Sequence, residues 1–131
     1  MAREFVAYEG EAYSIEWFFS ANNSQPLDYY NGLSQTDRIK VLRLFKLMGD
    51  TGKIRDEAKF RYEGEKVYAF KPQPHRFLSF FIHEGKIIVT NAFRKKQNKL
   101  PVREHTKAKK CRVSYLERVK LGIYHEEQVK K

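Results

Sequence analysis

The sequence predicts one α+β domain of order β-α-α-β-β-β-α, and three observations carry that prediction. A capped amphipathic stretch over residues 34–52 reads as a helix. After Gly52 the periodicity changes to three β-rich runs separated by short turn-forming links. A chain of 131 residues has material for one ordinary core and not for two. The expected product is a mostly antiparallel, twisted sheet with helices packed on one face. Residues 1–11 are expected as a leader and 119–131 as a C-terminal tail.

The run AYSIEWFFS (12–20) is aromatic and β-branched and is followed by turn-prone NNS, which predicts the first strand. Pro26 suits the first turn of a short helix over PLDYYNGL. The next helix is better marked. Ser34 with Asp37 three residues on resembles a capping box, and Gly49 and Gly52 supply the stop. Ile39, Leu42, Phe45 and Met48 form its apolar stripe, widened by Val41 and Leu44. Arg38, Lys40, Arg43 and Lys46 are expected as a solvated face.

KVYAFK (66–71), RFLSFFI (76–82) and KIIVTNAF (86–93) are the three later strands, divided by PQP and HEG. Links this short require antiparallel neighbours. The second and third runs are apolar on both parities, so both faces of the sheet are expected to be covered there, one by helices and the other by a partner. A last helix from near Pro101 to about Arg118, stopped by Gly122, has a thin stripe of Ala108, Cys111, Tyr115 and Val119. So few apolar positions suggest loose docking, or a partner that holds it.

The charge is lopsided: 26 Lys and Arg against 16 Asp and Glu, a formal +10 with a pI near 9.7. An anionic partner relieves such self-repulsion, nucleic acid first, RNA above all, then an acidic protein, then a membrane surface. The single Cys111 excludes an intramolecular disulfide and a cysteine zinc site. No apolar run approaches the roughly 20 residues of a membrane span, and MAREFVAYEG lacks the apolar core of a secretory signal. Cytoplasm is the expected compartment. The four histidines have no metal-ligand spacing, and no Gly-rich phosphate loop occurs, so neither metal nor cofactor is expected.

The densest basic cluster is FRKKQNKLPVR (93–103). In an antiparallel hairpin across HEG, the start of run 76–82 lies beside the end of run 86–93. Arg76, His75, Arg94 and Lys95 are therefore expected to meet at one concave patch, with Lys71 reaching the same end of the sheet. Phosphate suits such a cluster. RNA cleavage by its own 2′-hydroxyl needs a base, a cation for the charge on phosphorus and an acid for the leaving oxygen. Clustered cations lower a lysine pKa towards the first role, and His75 could do either proton job. Spacing alone favours phosphate binding without chemistry. His83 is expected in a turn, His105 on the underside of the last helix, and Cys111 as a packed residue.

KIIVTNAFRKKQNKLPVREHTKAKK resembles the C-terminal signature of the phage-derived RelE-like toxins, which include the HigB group. The matching pieces are Phe93 to Lys96, Lys99 to Pro101, Glu104 and Ala108, and upstream the helix ending near Gly49, the strand VYAFK and Arg76. The resemblance covers roughly residues 12–118 and implies the RelE-like fold. It also implies a metal-independent, ribosome-dependent mRNA endonuclease, the toxin of a type II toxin–antitoxin pair. Arg76 matches the family's strand arginine, and Arg94, Lys95 and Lys96 its basic element. On this reading Arg76, Arg94, Lys95, Lys71 and His75 are catalytic. Lys59, Arg61, Lys96, Lys99 and Arg103 bind RNA. The implied partners are mRNA on the ribosome and an antitoxin of helix-turn-helix type. The chain differs in carrying Ala69 and Lys71 where related sequences often have Glu and Arg, and Tyr115 matches no active-site tyrosine. The alternatives are a non-catalytic nucleic-acid-binding phage protein and a degenerate toxin that binds only its antitoxin or the ribosome.

Overall fold

The computed structural model describes residues 5–124. Among these, β1 (Val6–Glu9), β2 (Ser14–Trp17), α1 (Gln25–Asn31), α2 (Gln35–Thr51), β3 (Phe60–Gly64), β4 (Val67–Phe70), β5 (His75–Ile82), β6 (Lys86–Arg94) and α3 (Val102–Lys120) follow in order. All six strands join one sheet, ordered β1-β2-β6-β5-β4-β3. Four of the five pairings are antiparallel, and β2 runs parallel to β6. The long connection through both helices permits that parallel pair.

The α+β class and the three later strands lie where the sequence places them, but two strands were not anticipated. Within the supposed leader, β1 pairs with β2, and β3 pairs with β4 across a tight turn at Glu65 and Lys66, both at positive φ. Both unanticipated strands are short, of four and five residues.

Ser34 caps α2, its hydroxyl accepting from the Asp37 amide at 3.1 Å, and Gly52 ends the helix at φ 84. Gly49 lies inside the helix and is buried, so it is no stop. The buried stripe is Val41, Leu44, Phe45, Met48 and Gly49, while Ile39 and Leu42 are exposed. The i, i+3, i+4 pattern through Val41 outcompetes a strict three-residue repeat because it follows the 3.6-residue turn. Phe45 packs edge-on to Phe70 and against Trp17 and Phe77, at the centre of the larger core.

Helices do not stay on one face. While α1 and α2 cover one side of the sheet, α3 covers the other, through Ala108 on Val67, Ala69 and Leu78 and through Tyr115 on Phe18, Phe80 and Ile88. This accounts for strands that are apolar on both parities without a partner molecule. Nor is α3 loosely docked. Buried Glu104 accepts from Asn91 Nδ2 at 3.0 Å, and Tyr124 folds beneath the helix, its hydroxyl accepting from the Phe19 amide at 3.0 Å. Val119, placed on the stripe from sequence, is exposed. The supposed tail thus supplies the end of α3 and a core residue; positions 125–131 lie outside the described residues.

Candidate nucleic-acid interface

Where β5 begins and β6 ends, the ladder pairs His75 with Arg94 and Arg76 with Phe93. The expected meeting of these strand ends is present. Neighbouring residues in a strand point to opposite faces, and that divides the expected cluster. Arg76, Phe93 and Lys95 face α3. His75 and Arg94 face α1 and α2. One feature sets this parity: a bulge leaves Thr90 unpaired between Val89, opposite Ser79, and Asn91, opposite Leu78. Before it the even-numbered Ile88 faces α3; after it the odd-numbered Asn91 and Phe93 do.

The α3 face of this corner is a groove of about 400 Å³. Lys71, Arg76, Lys95, Lys96 and Lys99 line it together with Arg61 from β3 and His105 and Lys109 from α3. Glu63 is the one carboxylate in the lining. Arg76 is only 8% exposed. Its Nη1 donates to the His75 carbonyl at 2.9 Å and to Gln73 Oε1 at 3.4 Å, so the guanidinium is held in position before any ligand arrives. Burial lowers its pKa from the ordinary arginine value, but that value is so high that the group stays charged. Burial also lowers the Lys71 ammonium pKa, and Arg76 beside it lowers it further, with smaller contributions from Arg61 and Lys95 and opposition from Glu63. Lys71 Nζ donates to the Glu57 carbonyl at 2.9 Å. A phosphate entering the groove would meet a fixed guanidinium from Arg76 and several point charges.

Two expected members stand elsewhere. His75 is buried, its Nε2 donating to Asp37 Oδ2 at 2.9 Å and its Nδ1 lying 2.7 Å from the Tyr29 hydroxyl. With both ring nitrogens engaged, it is a structural tie between β5 and the two helices. The hydrogen bond to His75 holds the Asp37 carboxyl below its ordinary value, and burial raises the Tyr29 phenol. Arg94 is exposed beside Tyr29, outside the groove. Of the expected RNA contacts, Arg61, Lys96 and Lys99 line the groove, Lys59 lies on the α2 side, and Arg103 is exposed in the first turn of α3 outside the groove.

Three residues that shape or line the corner carried no sequence signal. Glu63 lies on the unanticipated strand β3. Gln25 pairs its side-chain amide with both backbone groups of Ala92, each at 2.8 Å. It thereby extends the sheet where β2 has ended and stiffens the strand that aims Lys95. Asn91 ties the same strand to α3. His105 lies on the underside of α3 as expected, its Nε2 donating to the Gly64 carbonyl at 3.1 Å. Cys111 is half-buried, and burial pushes its thiol up to about 11, which makes it unreactive.

Among the described residues no group of three or more His, Cys, Asp or Glu side chains could hold a metal ion, and no helix is long and apolar enough to cross a membrane. No curated protein matches the sequence. The model of the family described as phage-derived protein Gp49-like (DUF891) matches residues 28–112, a span that begins in α1, ends in α3 and contains every residue lining the groove. With well over half its length matched, and with the cation-lined corner inside the match, the chain belongs to the phage-derived Gp49-like family.

Proposed function

We propose that the chain is a RelE/HigB-like toxin that cleaves mRNA on the ribosome, with the α3-side groove as its active site. The observation that carries this reading is the convergence of Arg76, Lys71 and Lys95 in one groove, with Arg76 preset by two hydrogen bonds. Membership of the Gp49-like family supports it.

In the reaction the 2′-oxygen attacks the adjacent phosphorus, and the bond from phosphorus to the 5′-oxygen breaks. Lys71, as the neutral amine, takes the 2′-hydroxyl proton, a role suited to a lysine whose pKa is lowered by burial and by Arg76. Arg76 faces the charge that builds on the phosphoryl oxygens. Lys95, as the ammonium, gives a proton to the departing 5′-oxygen. His75 and Arg94 take no part in these steps, because they face the other side of the sheet. Lys96, Lys99 and Arg61 hold the flanking backbone, as phosphate contacts do in most nucleic-acid complexes. Ala69 lies buried under the groove, and Glu63 is the carboxylate present instead. A cognate antitoxin of helix-turn-helix type would cover the groove, or exposed apolar side chains such as Leu42 and Leu47 on α2.

The test is cleavage of mRNA by the purified protein, with and without translating ribosomes. Cuts that need ribosomes, that vanish in Lys71→Ala and that persist in Arg94→Ala are the expected outcome. Loss in Arg94→Ala with full activity in Lys71→Ala would move the site to the other face, and no cleavage in either condition would leave a binding protein. The pH dependence gives a second, independent check. If Lys71 is the base, the rate rises with pH as its amine deprotonates. Arg61 contributes to the lowering of that pKa, so Arg61→Gln raises it and moves the rising limb to higher pH. An unmoved limb would count against Lys71 as the base.

A further inference from the structure

Across the sheet edge from the active-site groove, a second groove of about 340 Å³ lies between α2 and the loop that precedes β3. Lys40, Arg43, Lys59 and Lys71 surround it, Leu44 and Ala58 supply an apolar floor, and Pro72 and Gln73 close one end. No acidic side chain lines it. Sequence patterning assigns the charges of α2 to a solvated face, and two of them fit that description. Arg38 is tied to the carbonyls of Asn31 and Leu33, and Lys46 to Asp50. Arg43 and Lys59 differ, since neither side chain forms an ion pair among the described residues. They come from separate elements and converge on the same concavity.

The two grooves are neighbours that share one lining residue. Lys71 lines both. The loop between them is gripped from each side: Arg76 Nη1 donates to the Gln73 side-chain oxygen, and Lys40 Nζ reaches the Gln73 carbonyl at 3.5 Å. A line of cations therefore rounds the sheet edge, with an apolar floor on the far side. That combination suits single-stranded nucleic acid, whose phosphates repeat along one edge and whose bases offer flat apolar faces.

We propose that the second groove holds the single-stranded RNA flanking the cleaved phosphate, with the strand passing around the sheet edge at Lys71. The proposal rests on the ribonuclease reading of the first groove and extends the substrate beyond the reacting nucleotides. Arg43 and Lys59 take phosphates, and a base lies over Leu44 and Ala58.

The experiment is fluorescence anisotropy at low salt with 2′-O-methyl RNA, which lacks the attacking hydroxyl. A short oligonucleotide fills one groove and a longer one spans both. The proteins are wild type, Arg76→Ala and the double variant Arg43→Ala/Lys59→Ala, whose exposed positions leave the fold unstrained. The double variant is expected to bind the longer strand about tenfold more weakly and to flatten its log–log salt dependence by about 1.4, the value for two lost phosphate contacts. Its affinity for the short strand should stay at the wild-type value, while Arg76→Ala weakens both. Unchanged long-strand affinity in the double variant, with Arg76→Ala still weak, overturns the second groove and leaves the first intact. Indifference of both variants overturns the ribonuclease reading with it. Binding of a polyglutamate peptide that the double variant abolishes, with RNA affinity unchanged, gives the groove to an acidic protein and overturns the RNA assignment.

Discussion

Replacing Arg76 with alanine is expected to lower ribosome-dependent cleavage about 100- to 1,000-fold, the usual effect of deleting a preorganised donor to a developing oxyanion. The guanidinium is nearly buried and fixed by the His75 carbonyl and the Gln73 side chain, so its orientation costs nothing at the moment of reaction. Arg76 also helps to hold Lys71 below its ordinary pKa. On the proposed mechanism the variant therefore loses charge stabilisation and part of the base's activation together. Arg76→Lys keeps one positive charge without the planar fork and should recover only a fraction of the rate. The partners left behind are an exposed glutamine side chain and the buried His75 carbonyl, so the stability of the variant has to be read beside its rate. The decisive comparison is single-turnover cleavage beside urea denaturation. An Arg76→Ala protein with wild-type rate would remove the groove from the mechanism.

Gly10→Ala is expected to destabilise the fold by about 3 kcal/mol or more, at the upper end of the cost of overpacking. A Cβ on Gly10 would fall 2.2 Å from the Gly49 carbonyl carbon and 2.3 Å from its oxygen. Both are backbone atoms of α2 and cannot swing aside. The same Gly49 carbonyl accepts from the Ala12 and Tyr13 amides at 2.7 and 2.9 Å, so lifting the turn off the helix breaks those bonds as well. The measurement is the urea midpoint at unchanged slope. Gly122→Ala is the control: its φ of +79 carries strain but no side chain or backbone crowds it, and its cost should be about 1–2 kcal/mol. Equal midpoints for the two variants would refute the close approach.

Much of this architecture was legible in the residues. Ser34, Asp37 and Gly52 mark the ends of α2 through local hydrogen bonding and a left-handed cap, and such signals act within one turn of chain. PQP and HEG require antiparallel neighbours, which brought residues 75–76 beside 93–94 in the observed pairing. β1 and β3 escaped notice because both are short edge strands: β1 buries no side chain fully and β3 buries only Phe60. The stripe of α2 was misjudged at Ile39 and Leu42, since charged and apolar residues are interleaved there and only contact with the sheet selects among overlapping stripes.

The candidate site shows the same division. Composition and spacing by themselves determined that cations gather at one end of a hairpin, and they named Lys71, Arg76 and Lys95. Which of Arg94 and Lys95 joins Arg76 was decided by the bulge at Thr90, whose hydroxyl donates to the Leu78 carbonyl within the sheet. One extra residue in a strand exchanges its faces, and a run apolar on both parities carries no trace of the exchange. The fate of His75 was tertiary as well. Its neighbours in the chain place it beside the cations of the hairpin end, but Tyr29 and Asp37 arrive from two helices distant in sequence and occupy both its nitrogens. Local chemistry is written in adjacent residues, whereas the face on which a side chain works depends on strand register and on what packs against it.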